Sequence, residues 1–449
     1  NLSNNSGINM ISYCFHDVAG YQKIASYTGD GNNDRAVTTG FKPDFVLIKS
    51  TVGADNWRLY DTARGIDEGG YLEPNRSDAD DTSNAPNLLM TSTGFTITSG
   101  GVTAGNNANG NLYIYWAVAK NVPSNTTLAN SFKAVTYTGN GGTQSITGVG
   151  FRPDLIWVKR RDGTGNHYLQ DTLRGLRSQI SSNLSAAATT YSSNITSYDT
   201  DGFTLGTSTD NNGNGQTFVA WTWKAGNTWQ SNVDGTIPSI TNTNTANGFS
   251  IVKYTGTGSV ATIGHGLSAA PTFIIVKALV ATANSNWTVY HSSVGNTKAL
   301  KLSTNAAEDD QDGYWNDTSP TATLFTVKDY AVVNESAKEY IAYCFHDVTG
   351  YSKFGTYSGT GSSQTITTGF TPDFVITKKT NGTDNWRMYD SVRQNAQPFD
   401  EVMYPNLSDG EDDNTNGISG TTATGFTLGT GNLSNNSGDT YIYIAFKMN

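Results

Sequence analysis

The feature that most constrains this chain is a phrase it repeats. Tyr-Thr/Ser-Gly-x-Gly occurs at Tyr27, Tyr137, Tyr254 and Tyr357. Beyond each copy, a Gly-Phe/Leu turn leads into an apolar run ending in lysine: Gly40 to Lys49, Gly150 to Lys159, Gly266 to Lys277 and Gly369 to Lys378. An aromatic segment follows: Asn56 to Asp61, Asn166 to Asp171, Asn286 to His291 and Asn385 to Asp390. After a variable stretch rich in Asn, Ser and Asp, copies 1, 2 and 4 show Gly-Phe-Thr-Ile/Leu at Gly94, Gly202 and Gly425. Each copy closes on an aromatic strand: Leu112 to Val118, Phe218 to Trp223, Tyr340 to Phe345 and Tyr441 to Phe446. Self-similarity at a fixed period marks a tandem array, and 449 residues suit several domains of roughly 100 to 150 residues.

The conserved segments are short, alternate in polarity and are punctuated by Gly, Asn and Asp, which predicts antiparallel strands in an all-β sandwich or barrel. No 3.6-residue periodicity of helical length is present. In the last strand Ile442, Ile444 and Phe446 share one face while Tyr441, Tyr443 and Ala445 share the other. Both faces are apolar or aromatic, so that strand is expected to be covered on both sides.

The expected organisation is a string of four sandwich repeats, 21–121, 131–226, 248–350 and 351–449, with a Thr/Asn-rich linker at 227–247. A larger sandwich built from two repeats is the alternative architecture. Residues 1–20 read as the closing strand of a preceding repeat: Asn1 to Gly7 recurs unchanged at Asn432 to Gly438, and Ile11 to Gly20 matches Ile341 to Gly350. A longer parent polypeptide is expected. The other reading is that Ile8 to Phe15 is a strand donated to a neighbouring chain.

Composition narrows the function. Only 15% of residues are charged, against about 25% in an average globular protein. Aromatics reach 11%, too many for a disordered chain. The surface is therefore built from hydroxyls and amides, as in extracellular β proteins and virion proteins. The net charge is −10 with no basic run, which argues against nucleic acid and an anionic membrane surface. No stretch approaches the roughly 18 apolar residues of a membrane helix, so no membrane insertion is expected. Cys14 and Cys344 occupy equivalent places in two repeats and read as buried free thiols.

Asp61 and Arg64, Asp171 and Arg174, and Asp390 and Arg393 share one spacing, and copy 3 replaces both members with His291 and Val294. Removing one partner of a buried pair costs about 3–5 kcal/mol, so joint loss reads as a structural ion pair. Trp57, Trp287 and Trp386, with Tyr168 in copy 2, could stack on sugar rings, although a repeated strand Trp is more often core. Acidic loop clusters occur at Asp78, Asp80 and Asp81, and at Glu308, Asp309, Asp310 and Asp312. Another comprises Asp409, Glu411, Asp412 and Asp413. Calcium is the one cofactor such oxygen-rich loops would suit, but copy 2 has Ala186-Ala187-Ala188 there and the bland reading is solvated charge. No nucleophile elbow, phosphate loop or orienting triad is visible, so no catalytic residue is assigned and the protein is expected not to be an enzyme.

The phrases Gly-Phe-Arg-Pro-Asp-Leu-Ile-Trp-Val-Lys, Asp-Thr-Leu-Arg-Gly, Asp-Gly-Phe-Thr-Leu-Gly and Ala-Trp-Thr-Trp-Lys-Ala-Gly of copy 2, with the Tyr343 to Gly355 junction, resemble a tandem repeat family of marine bacteriophage structural proteins. Copy 3 departs most, having Thr272 after Pro271 where the others have Asp. The resemblance implies jelly-roll or concanavalin-A-like modules. It also implies a place on the virion surface, outside the cell, in a tail fibre, a tail-associated adhesin or a capsid decoration. Expected partners are other virion proteins and a host surface glycan, in a homo-oligomer with a trimer favoured. A bacterial surface adhesin and a virion-borne glycan depolymerase are the alternatives.

Overall fold

The computed structural model describes residues 14–18, 20–62, 70–79, 88–91, 93–98, 105–119, 131–226, 228–282, 285–394, 399–413, 417–431 and 433–448. The chain forms two compact units, Asn1–Pro123 and Ser124–Asn449. Among the described residues almost every regular element is a β-strand, and the paired strands run antiparallel. The protein is all-β and built from sandwich modules, as the alternating segments predict.

Repeat 4 shows the plan. Its large sheet runs Ser352–Ser358, Thr440–Phe446, Phe374–Lys379, Arg387–Asp390, and its small sheet runs Gln364–Thr367, Gly425–Leu428, Ile418–Thr422. Between them lies a core that includes Tyr357, Val375, Tyr389, Phe426 and Leu428. Repeat 1 has the same two sheets, with Gln22–Thr28, Leu112–Val118, Phe45–Ser50 and Arg58–Asp61 in the large one. In repeats 2 and 3 the large sheet grows to six and eight strands.

The repeated phrase is the hinge of this plan. Tyr27, Tyr137, Tyr254 and Tyr357 each stack on the opposing ring of the closing strand at 5.0–5.3 Å. Each hydroxyl then donates to a loop carbonyl, of Asn106, Asn211, Val333 or Ser434. The next Gly-x position lies against that same loop: a Cβ on Gly29, Gly139, Gly256 or Gly359 would collide with a backbone carbonyl oxygen. Close approach, not flexibility, explains why the residue is glycine.

Three expectations need correcting. Residues 227–247 are not a free linker. Within them Gln230–Asn232 and Ser239–Asn244 pair in series onto Phe249–Thr255 as edge strands of repeat 3. Their buried positions are Ser239, Thr241, Asn242 and Asn244, so an apolar period never shows. Asn242 instead bonds Asp154 and the Gly226 amide. Second, Cys14 is exposed, whereas Cys344 is buried as expected. Third, repeats 2, 3 and 4 are not separate beads: one apolar cluster takes Trp157, Val219 and Trp221 from repeat 2, Ile275, Ile341 and Phe345 from repeat 3, and Ile376, Ile442 and Phe446 from repeat 4. The strand Thr440–Phe446 is accordingly buried along both faces, as its sequence implies. The expected closing strand at 1–20 falls mostly outside the described residues. There Cys14 to Asp17 belong to no strand, and Val18 bridges to Gln22.

Candidate functional site

Trp287, Trp386 and the pairs Asp171–Arg174 and Asp390–Arg393, all singled out by the sequence, lie where repeats 2, 3 and 4 meet. One backbone contact recurs at all three seams, so the three repeats form a closed ring with pseudo-threefold symmetry. The clearest marker is a backbone hydrogen bond. Ala188 N–H donates to the Leu279 carbonyl (2.9 Å), Glu308 to Thr380 (2.8 Å) and Glu411 to Arg161 (2.7 Å), which runs 2 to 3, 3 to 4 and 4 back to 2. Acceptors 161, 279 and 380 are equivalent, each two residues past the strand lysine. Heterologous contacts of this kind close into a ring only when the rotation fits, and here it does.

The recurring tryptophans form a second set. Trp287 Nε1 donates to the Ser181 carbonyl across the 3–2 seam (2.9 Å), and Trp386 Nε1 to the Lys301 carbonyl across the 4–3 seam (3.0 Å). Both side chains are 0% exposed. They cannot serve as platforms for a sugar ring, and that expectation is withdrawn for them. In repeat 2 the position is His167, buried, taking a hydrogen bond from Trp157 on Nδ1 (2.9 Å). Burial holds its pKa well below the ordinary histidine value, while the neighbouring Tyr404 carbonyl acts in the opposite sense. Tyr168 is half-buried and Trp57 of repeat 1 is exposed.

The Asp–Arg pairs are the third set. Arg174 Nε meets Asp171 at 2.6 Å and Arg393 Nε meets Asp390 at 2.7 Å, with all four side chains essentially inaccessible. Each carboxylate also accepts from the adjoining repeat: Tyr343 Oη donates to Asp171 (2.7 Å) and Trp221 Nε1 to Asp390 (2.8 Å). Tyr343, Trp221 and Ile444 hold equivalent places in their closing strands. At the third seam His291 stands in place of the carboxylate, Val294 in place of the arginine and Ile444 in place of the donor, so donor, acceptor and arginine are missing together. The joint loss seen in the sequence thus extends to a third residue in another repeat, which sequence spacing alone could not reveal. Asp61 is half-buried, and its expected partner Arg64 lies outside the described residues.

Burial also tunes the lysines that end the apolar strands. Lys159, Lys277 and Lys378 are each 0% exposed, and desolvation pushes each pKa down to about 8. Their ammonium groups are held by carbonyls, that of Lys277 by Ser185 across the 2–3 seam (2.9 Å). Desolvation pushes His291 down to about 4, so it sits neutral in the ring. Burial drives the Cys344 thiol upward, away from the thiolate a nucleophile needs.

The acidic residues of 409–413 do not gather round a common point. Glu411 pairs with Arg161 and lies 3.5 Å from Arg393, while Asp412 accepts from the Tyr404 hydroxyl (2.9 Å). Asp412 and Asp413 form a strand against Glu401–Val402. Glu308, Asp309 and Asp312 each pair with a lysine, and Asp78 with Arg76; Asp80 and Asp81 lie outside the described residues. Among the described residues no three His, Cys, Asp or Glu side chains converge to hold a metal. At the centre of the ring Leu155, Phe273 and Phe374, with other apolar side chains, line a cavity of about 30 Å³. A water there would find no polar partner, so the cavity is a packing gap.

Fold and seams define a class: all-β sandwich repeats assembled through their own large sheets. The chain belongs to a family described as a domain of unknown function (DUF7483), whose model matches residues 1–122 and 128–449. The break between the two matches falls where the two compact units divide. No curated protein matches the chain.

Proposed function

We propose that this is a non-enzymatic structural and adhesive protein of a bacteriophage virion, displayed on the surface in a tail fibre or capsid appendage. The observation that carries the reading is where the recurring polar residues go. Asp171, Arg174, Asp390, Arg393, Trp287 and Trp386 are consumed in contacts between repeats, so what the repeats preserve is assembly. The resemblance of the copy 2 phrases to marine phage structural repeats supplies the owner. Host glycans are the proposed external ligand, bound by the amide- and hydroxyl-rich loops, and repetition would turn weak sites into avid ones.

The test has two readouts. Immunogold labelling of virions and of bacterial surfaces locates the protein, and a glycan array run beside a reducing-end assay reads its chemistry. Label on particles, with glycan binding and no release of reducing ends, supports the proposal. Label confined to cells would make it a bacterial adhesin, and released reducing ends would make it a depolymerase.

A further inference from the structure

Repeat 1 carries the ring-forming face without a ring. Its strands align with those of repeat 4 residue for residue, so the positions that repeat 4 buries in the seams can be read directly. Phe354 and Ile442 are 4% and 1% exposed; their counterparts Ile24 and Ile114 are 42% and 41% exposed. Trp386 is fully buried, whereas Trp57 is 36% exposed. Phe45, Leu47, Leu59 and Val118 are only half-buried, where Phe374, Ile376, Met388 and Phe446 are buried. A contiguous apolar face of this kind on a folded protein marks an interaction surface.

We propose that three copies of this chain associate through the open face of the repeat 1 large sheet, closing the same three-repeat ring that repeats 2, 3 and 4 form within one chain. The occupant follows from the chain itself, since three homologous sheets already cover this face with one another. The polar residues agree. A homotrimer has three identical seams, so each copy carries both the donor and the acceptor or neither. Repeat 1 has both, Trp116 at the place of Trp221 and Asp61 at the place of Asp390. Repeats 3 and 4 each lack one, as their single complementary seam allows. In the free chain the Trp116 indole donates to Gln22 Oε1 (3.1 Å), and the Phe15 ring lies tilted against it with centroids 4.6 Å apart. The ring would exchange the Gln22 bond for a charge-assisted one to Asp61 of the next copy. Trp57 would lie in a seam, which removes it as a sugar platform. Trimerisation does not depend on the protein residing in a virion, so either proposal can fail without the other.

Sedimentation velocity and light scattering of the full chain test it. The expected mass is three times the 48.0 kDa chain. Ile114→Arg should give monomers with the melting of the 124–449 unit unchanged, and Val260→Arg, at an exposed site of repeat 3, should leave the trimer intact. Trp116→Phe keeps the apolar area but loses the donor, and should weaken association by about tenfold or more. A dimer, or a trimer indifferent to Ile114→Arg, would overturn the proposal. So would a monomer, which would leave the face to repeats of a longer parent chain.

Discussion

The strands Leu112–Val118 and Thr440–Phe446 occupy the same place in repeats 1 and 4, each hydrogen-bonded between the first and third strands of its large sheet. On the side facing the small sheet they agree: Tyr113, Tyr115 and Ala117 are buried, as are Tyr441, Tyr443 and Ala445. On the other side they part. In one strand that face is open or half-covered; in the other it is sealed by two further repeats. One repeat therefore suffices to build a sandwich core, but not to bury both faces of its large sheet. In repeats 2, 3 and 4 the second face is buried by the neighbouring repeats.

The strongest way to break the comparison is to strand a charge in a seam. Asp390→Ala leaves Arg393 buried without its carboxylate and the Trp221 indole without an acceptor, and should cost the 124–449 unit about 3–5 kcal/mol in urea denaturation. The triple replacement Asp390→His, Arg393→Val, Trp221→Ile copies the natural third seam. It should cost less than the single change; a larger loss would show that the three residues are not one unit.

Truncating the shared core comes next. Ile442→Ala should destabilise the 124–449 unit by about 2–5 kcal/mol, whereas Ile114→Ala in dissociated chains should move unit 1 by no more than about 0.5 kcal/mol. Hydrogen exchange resolves the two units. Equal effects would mean that the open face is not open.

Acid sharpens the contrast. His291 is neutral when folded, with a pKa pushed down to about 4 against about 6.5 in the unfolded chain. Its contribution is complete above pH 6.5 and is lost as the pH falls through that window towards 4, on the order of 3 kcal/mol. His291→Phe should flatten part of this stability profile of the 124–449 unit, leaving the shares of His265, also pushed down to about 4 by burial, and of His167, which burial holds well below the ordinary value. Repeat 1 has Asp61 at that position and lacks this term. An unchanged profile would remove His291 as its source.

The smallest effect is the loss of one seam hydrogen bond. Trp386→Phe removes the indole donor and leaves the Lys301 carbonyl only its bond from the Thr304 amide (3.3 Å), and should cost about 1 kcal/mol, while Trp57→Phe in dissociated chains should cost nothing measurable. Thermal melts of the two variants decide it.

Much of this was legible beforehand. Strand alternation identified the sandwich, because a two-layer core demands a period of two. The two apolar faces of Thr440–Phe446 showed that something covers both, and the paired loss of Asp and Arg in copy 3 marked a buried ion pair. The hairpin within 227–247 stayed hidden because hydrogen-bonded amides and hydroxyls, not apolar side chains, fill its buried positions. Trp287 and Trp386 looked like possible ligand platforms because a sequence shows an aromatic side chain but not what lies over it.

The sequence by itself determined the module: its strands, its recurring Tyr-Thr/Ser-Gly-x-Gly phrase, and the Asp and Arg that change together. Only the tertiary structure decided what those residues face. Seam contacts join positions far apart in the chain, such as Trp221 with Asp390, and which sheet covers which depends on a rotation between repeats that no local pattern encodes.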